Sequence, residues 1–166
     1  MEVITSMRNN MKALFKGFGY AFNGIFIALK KERNFRIHTV CMIYMYFFLF
    51  FFDFFEITRT ELAIIFLANG LVIGGELINT AIEKAVDLYG EEHTELGKIA
   101  KDCAAGAVLM FAIFSVLCGI AIMYQPKAFE HLFAYFLDNP LSIVLFAVSV
   151  VIFTIFIFFG FGRKKK

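Results

Sequence analysis

From residue 37 onward the chain alternates long apolar runs with short polar breaks. The runs fall at roughly 37–55, 62–87, 103–124 and 141–162. At 1.5 Å per residue, a helix of about 20 residues crosses a hydrocarbon core of about 30 Å, so each run is long enough to span a bilayer. The breaks hold turn and cap residues: Asp53 and Glu56 ahead of Thr58, Arg59 and Thr60, then Tyr89 and Gly90, then Gln125 with Pro126, and Asn139 with Pro140. Thr58 or Thr60 is placed to cap the second span, and a helix restarts near Leu96. Residues 127–139 read as a mixed amphipathic surface loop. Ahead of the spans, residues 7–31 put Arg8, Lys12, Lys16, Asn23 and Lys30 on one helical face and Leu14, Phe18, Ala21, Ile25 and Ala28 on the other. That pattern predicts a basic amphipathic helix lying in the membrane interface. The fold class is all-α, a polytopic membrane helical bundle.

The second run ends in a stretch of different character. Glu76, Asn79, Thr80, Glu83 and Asp87 share one face, while Leu77, Ile78, Ala81, Ile82, Ala85 and Val86 fill the rest. Three carboxylates and an amide therefore line one stripe of a membrane helix. A carboxylate at mid-bilayer costs at least about 2.5 kcal/mol on insertion scales, so such groups are rare and usually functional. Like charges one turn apart repel, and a bound cation or a raised pKa on one member relieves the repulsion. Mg2+ suits the stripe because it takes oxygen ligands and often only one or two carboxylates plus phosphate. The bland alternative is a helix end surfacing among lipid head groups with its acids solvated. Upstream, Gly70 and Gly74 form a GxxxG spacing expected to let another helix approach near Glu76.

Composition agrees with the pattern: 60% of residues are hydrophobic and mean hydropathy is +0.76, beyond a soluble domain. Phe supplies 24 residues and Trp none, so Phe and Tyr must form the interfacial aromatic belt. Cys41, Cys103 and Cys118 lie in apolar stretches without CxxC or Cys/His spacing and read as buried, reduced packing residues. The N-terminal stretch, interrupted by Lys12 and Lys16, does not read as a signal peptide. His93 with Glu92 and Glu95 lacks a further His or Cys at zinc spacing. His38, opening the first span, reads as a partner for a backbone carbonyl, and Glu32 as free or paired with Arg33 or Arg36.

Charge distribution sets the topology. Every Lys and Arg except Arg59 and Lys127 falls before residue 37, between 84 and 101, or in the 163–166 tail. The positive-inside rule then places both termini in the cytoplasm, with the acidic stripe, Glu32 and Lys101 at the cytoplasmic interface, within reach of a soluble nucleotide. The basic tail suits anionic lipid, and no nucleic-acid module is visible.

A carboxylate, a metal-binding acid one or two turns away and a nearby Lys suit phosphoryl transfer to a lipid hydroxyl. There is no Walker A loop and no protein-kinase glycine loop. The residues alone thus reach a metal-dependent site for an amphiphile and suggest a kinase. A non-catalytic membrane protein using the acidic stripe as a cation site is the alternative.

The run 76–87, Glu-Leu-Ile-Asn-Thr-Ala-Ile-Glu-Lys-Ala-Val-Asp, followed by Ala100, Lys101 and Asp102, resembles the signature of the bacterial integral-membrane diacylglycerol kinase/undecaprenol kinase family. Glu32 with Asn34, Phe35 and Arg36, and Gly19 with Tyr20, resemble it as well. The resemblance covers residues 12–124 and implies an inner-membrane, ATP- and Mg2+-dependent lipid kinase. It further implies a homotrimer whose active sites are shared between protomers. By position in the motif, Glu76 resembles the catalytic base and Glu32 and Glu83 the metal-binding acids. Tyr20, Lys101 and Asp102 resemble nucleotide contacts, joined by Glu92, His93 and Thr94 of the loop, while Asn79 and Asp87 resemble supporting residues. Residues 32–38, Glu-Arg-Asn-Phe-Arg-Ile-His, look closer to the Gram-positive branch that favours undecaprenol than to the diacylglycerol-preferring enterobacterial branch.

Three features depart from the family pattern. Ala13 stands where the enterobacterial form has an Arg in its surface helix, and Glu92-His93-Thr94 stands where Glu-Tyr-His is usual. The family core also has three spans. The chain accordingly divides into a surface helix and hinge (1–36), a three-span kinase core (37–124) and an added loop, fourth span and basic tail (125–166). The fourth span holds no ionisable group, so it is expected to face lipid and to be dispensable for the chemistry.

Overall fold

A computed structural model of the chain describes residues 2–89 and 94–161, with side chains from residue 10 onward. Six helices follow in order: α1 Glu2–Lys31, α2 Arg33–Phe51, α3 Arg59–Leu88, α4 Glu95–Met123, α5 Pro126–Asp138 and α6 Pro140–Phe159. The helices α2, α3, α4 and α6 are each long and apolar enough to cross a membrane. Most of their apolar side chains are exposed, as expected where lipid, rather than protein, covers the helix faces.

The tightest pair is α3 against α4. Ile65, Val72, Gly75 and Glu76 form the buried seam of α3, and Ala104 and Val108 that of α4. The two run antiparallel, since Ser115 Oγ donates to the Ala68 carbonyl at 3.0 Å and, at the other end, Lys101 reaches Asp87. Close approach occurs at Gly75, where an added Cβ would lie 2.8 Å from Phe111 Cδ2. Gly70 and Gly74, expected to serve that purpose, have open space where a Cβ would stand. Helix α2 packs antiparallel on α3, and the Asn69 side-chain amide donates to Tyr46 Oη at 3.2 Å and to the Ile65 carbonyl at 2.9 Å.

Helix ends follow local chemistry. Thr58 caps α3 in a capping box: its Oγ1 accepts from the Glu61 amide at 3.2 Å, and Glu61 Oε2 accepts from the Thr58 amide at 2.8 Å. Helix α2 ends at Phe51, short of the expected residue 55. Phe52 is extended, and its ring packs on Phe54 and Tyr135, which draws the chain out of the helix. Residues 126–138 form helix α5 rather than the expected loop. Pro126 at its first position and apolar residues at Phe129, Leu132, Phe133 and Phe136 give it an amphipathic helical period. At that end of the bundle the Gln125 side chain pairs with the Glu56 backbone, donating to its carbonyl and accepting from its amide, both at 3.0 Å.

One other expectation changes. Cys41 and Cys103 are exposed rather than buried, and Cys118 is half-buried; all three thiols are free. A membrane helix needs no polar exterior, so a small, weakly polar thiol can face outward at little cost. The fourth span exposes its length as expected, with no buried residue. It is nonetheless tied to α2, through Tyr44 Oη and Ser149 Oγ at 2.9 Å, and through Arg36 at its C-terminal end.

Candidate active site

The acidic stripe of α3 lies against the start of α2 and the start of α4. Glu76 is 3% exposed, one residue beyond the Gly75–Phe111 contact that brings α4 close. His38 Nε2, from the second turn of α2, lies 3.5 Å from Glu76 Oε1. Sequence reading missed this neighbour, because nothing in its spacing from Glu32 marks His38; only the packing of α2 across α3 does. One turn along, Asn79 Nδ2 donates to Glu83 Oε1 at 2.9 Å, which leaves Asn79 Oδ1 buried without a hydrogen-bond partner. Further along, Lys101 Nζ forms an ion pair with Asp87 Oδ1 at 2.6 Å. Asp102 follows on the exposed surface of α4. A single antiparallel crossing thus lines up a buried carboxylate, an amide–carboxylate pair and a Lys–Asp pair along one side of α3.

Glu32 is the single non-helical residue between α1 and α2, with φ −97° and ψ 117°. Its amide donates to the Ala28 carbonyl at 2.8 Å, while its half-buried carboxylate takes no part in an ion pair or side-chain hydrogen bond among the described residues. The pairing with Arg33 or Arg36 left open by the sequence does not form. Arg36, 5% exposed, is committed to backbone carbonyls instead. Tyr20 stands on α1, 65% exposed, with Lys16 Nζ 5.8 Å from its ring centroid. No hydrogen bond among the described residues joins Tyr20 to α3 or α4. Thr94 caps α4, its Oγ1 accepting from the Gly97 amide at 3.1 Å. Glu92 and His93 lie outside the described residues, as does the basic tail.

The donor set fits a hard divalent cation. A partnerless, buried Asn79 Oδ1 beside the Glu83 carboxylate offers oxygen ligands in a desolvated place. Among the described residues no three His, Cys, Asp or Glu side chains converge at ligand spacing. Mg2+ does not require them, since phosphate oxygens and water complete its shell.

The sequence model of the prokaryotic diacylglycerol kinase family matches residues 19–123, a stretch that runs from the second half of α1 to the end of α4 and contains every element of this crossing. The chain belongs to that family. It is 42% identical over 122 residues to the undecaprenol kinase of Bacillus subtilis, which covers 72% of this chain and 94% of that protein. It is 40% identical over 114 residues to a diacylglycerol kinase of Synechocystis, covering 68% of this chain and 63% of that protein. To the diacylglycerol kinase of Escherichia coli K12 it is 32% identical over 112 residues, 68% of this chain and 89% of the relative. The protein is therefore a multi-pass membrane lipid kinase. Helices α5 and α6 lie beyond the part that the family model matches.

Proposed function

We propose that this lipid kinase transfers the γ-phosphate of ATP, with Mg2+, to the hydroxyl of undecaprenol in preference to diacylglycerol, giving undecaprenyl phosphate and ADP. The observation that carries the reading is a buried Glu76 in line, along one helix face, with Glu83 and the Lys101–Asp87 pair. The Bacillus relative's name and the Glu-Arg-Asn-Phe-Arg-Ile-His run at 32–38 favour undecaprenol.

In this reading a Glu76 carboxylate oxygen accepts the proton of the lipid hydroxyl as the hydroxyl oxygen bonds to the γ-phosphorus, while the bond from the γ-phosphorus to the β–γ bridging oxygen breaks and that oxygen leaves with ADP. Burial strengthens Glu76 for the role, because water is excluded from competing as the acceptor. His38, beside Glu76 Oε1, holds the carboxylate's direction. Glu83, oriented by the Asn79 amide, and Glu32 hold Mg2+, which when bound neutralises phosphate charge. Lys101 adds a cation for the phosphates; Asp87 keeps its ammonium at the α3–α4 mouth until nucleotide arrives. Tyr20, Asp102, Glu92, His93 and Thr94 complete the nucleotide contacts, supplied in a homotrimer by neighbouring protomers. The exposed apolar side of α1, with Leu14, Phe18 and Phe22, supports such packing or burial in the interface. The site faces the cytoplasm, where ATP is, from an inner-membrane protein with both termini inside.

The test is phosphate transfer from [γ-32P]ATP, in detergent with Mg2+, to undecaprenol, diacylglycerol and ceramide side by side. Labelled undecaprenyl phosphate should dominate. Preference for diacylglycerol would reverse the substrate assignment, and no labelled lipid with any alcohol would favour the cation-site reading.

A further inference from the structure

Arg36 joins three helices at one point. Its Nε donates to the Ile157 carbonyl of α6 at 2.9 Å, and its Nη1 donates to the Lys30 and Leu29 carbonyls of α1 at 3.1 and 3.3 Å. The last carbonyls of a helix have no partner within it and carry the negative end of its dipole, so one guanidinium caps two helix ends at once. Buried and without a carboxylate, Arg36 relies on those carbonyls to offset its desolvation. The α6 cap is shaped to fit. Gly160 takes φ +60°, and a Cβ there would lie 3.3 Å from both the Lys30 carbonyl oxygen and Arg36 Nη1. Phe161 then folds back onto Phe156 and onto Phe26 of α1, with ring centroids 5.3 and 5.9 Å apart.

What this junction encloses is the break between α1 and α2. Leu29 and Lys30 precede Glu32, and Arg36 follows it in the first turns of α2. Holding the last carbonyls of α1 from the start of α2 fixes the angle between the two helices, and that angle aims the Glu32 carboxylate. The Ile157 carbonyl and the Gly160 turn fix Arg36 in turn. We propose that the fourth membrane helix is a positioning element of the active site. Its C-terminal cap locks Arg36 across the α1–α2 break and so presents Glu32 towards the nucleotide-bound cation. Helix α6 contributes no ligand or base, and Arg36 is a positioning residue. The inference rests on the proposed role of Glu32 and explains why an added span outside the matched core ends against the hinge.

The experiment compares the full chain with Gly160→Val, with a truncation after Gln125, and with Tyr44→Phe, which removes only the hydroxyl contact between α2 and α6 away from the hinge. Two readouts are taken in detergent: amide hydrogen exchange at residues 32–36, and the Mg2+ dependence of lipid phosphorylation. Gly160→Val and the truncation should both speed exchange at the hinge and raise the Mg2+ concentration for half-maximal rate several-fold. The rate at saturating Mg2+ should fall less, and Tyr44→Phe should leave both readouts at the parent values. A correctly assembled Gly160→Val protein with parental hinge exchange and parental Mg2+ dependence overturns the proposal, whatever becomes of the truncated chain. Faster hinge exchange with unchanged Mg2+ dependence overturns the link to Glu32. A parent chain with no phosphoryl transfer at all sinks the kinase mechanism instead, and the exchange data then still judge the clamp.

Discussion

The sharpest prediction concerns Glu76→Gln. The substitution keeps side-chain volume and leaves an oxygen able to face His38, so the α3–α4 seam beside Gly75 and Val72 should pack unchanged. What it removes is the proton acceptor. General-base catalysis contributes about 10²- to 10⁴-fold, and each tenfold corresponds to about 1.36 kcal/mol of barrier. The structure argues for the upper part of that range. At 3% exposure no bulk water can replace the carboxylate. The expected loss is therefore about 10³-fold or more in kcat, or about 4 kcal/mol. Thermal stability should hold or rise slightly, because burying a carboxylate costs more than burying an amide. The assay is single-turnover phosphorylation at saturating ATP and Mg2+, with a fluorescent nucleotide to follow binding and a thermal melt to confirm folding. Nucleotide affinity should stay within a few-fold of the parent. A folded Gln variant that keeps near-parental turnover would remove Glu76 from proton transfer. A variant that loses metal affinity but not the rate at saturating Mg2+ would make Glu76 a cation ligand.

Two further outcomes are expected. Glu32→Gln and Glu83→Gln should each raise the Mg2+ concentration for half-maximal rate, since each removes an anionic oxygen; a variant with the parent's Mg2+ curve would be a structural residue only. Gly75→Val should weaken the α3–α4 pair by about 1–3 kcal/mol, because even a Cβ meets Phe111 at 2.8 Å, and pairing it with Phe111→Ala should recover part of that loss; a melt unchanged from the parent would refute the close approach.

The spans were legible because a bilayer imposes a one-dimensional rule: an apolar run of sufficient length must be helical, since no water is there to satisfy its backbone. The stripe from Glu76 to Asp87 was legible for the same reason, as polar residues at helical spacing stand out against hydrocarbon. Helix α5 was not. Its amphipathic period is short, bounded by Pro126 and Asn139, and packing of the Tyr135 and Phe136 rings on Phe52 stabilises it. Nor could spacing decide between Gly74 and Gly75, which differ by 100° around the helix and exchange an open face for the α4 contact.

The candidate site divides along the same line. The amino-acid sequence alone singled out the candidate residues, because an intramembrane acid is costly enough to mark itself, and the cation distribution predicts which side they face. The tertiary structure alone decided their partners. It set His38 against Glu76, left Asn79 Oδ1 without a donor, paired Lys101 with Asp87, and turned Arg36 from Glu32 to the carbonyls of two other helices. Those contacts join residues far apart in the chain, or set one local partner against another. They depend on how antiparallel helices cross and on where a helix end leaves carbonyls unpaired, and neither is encoded in the periodicity of any single segment.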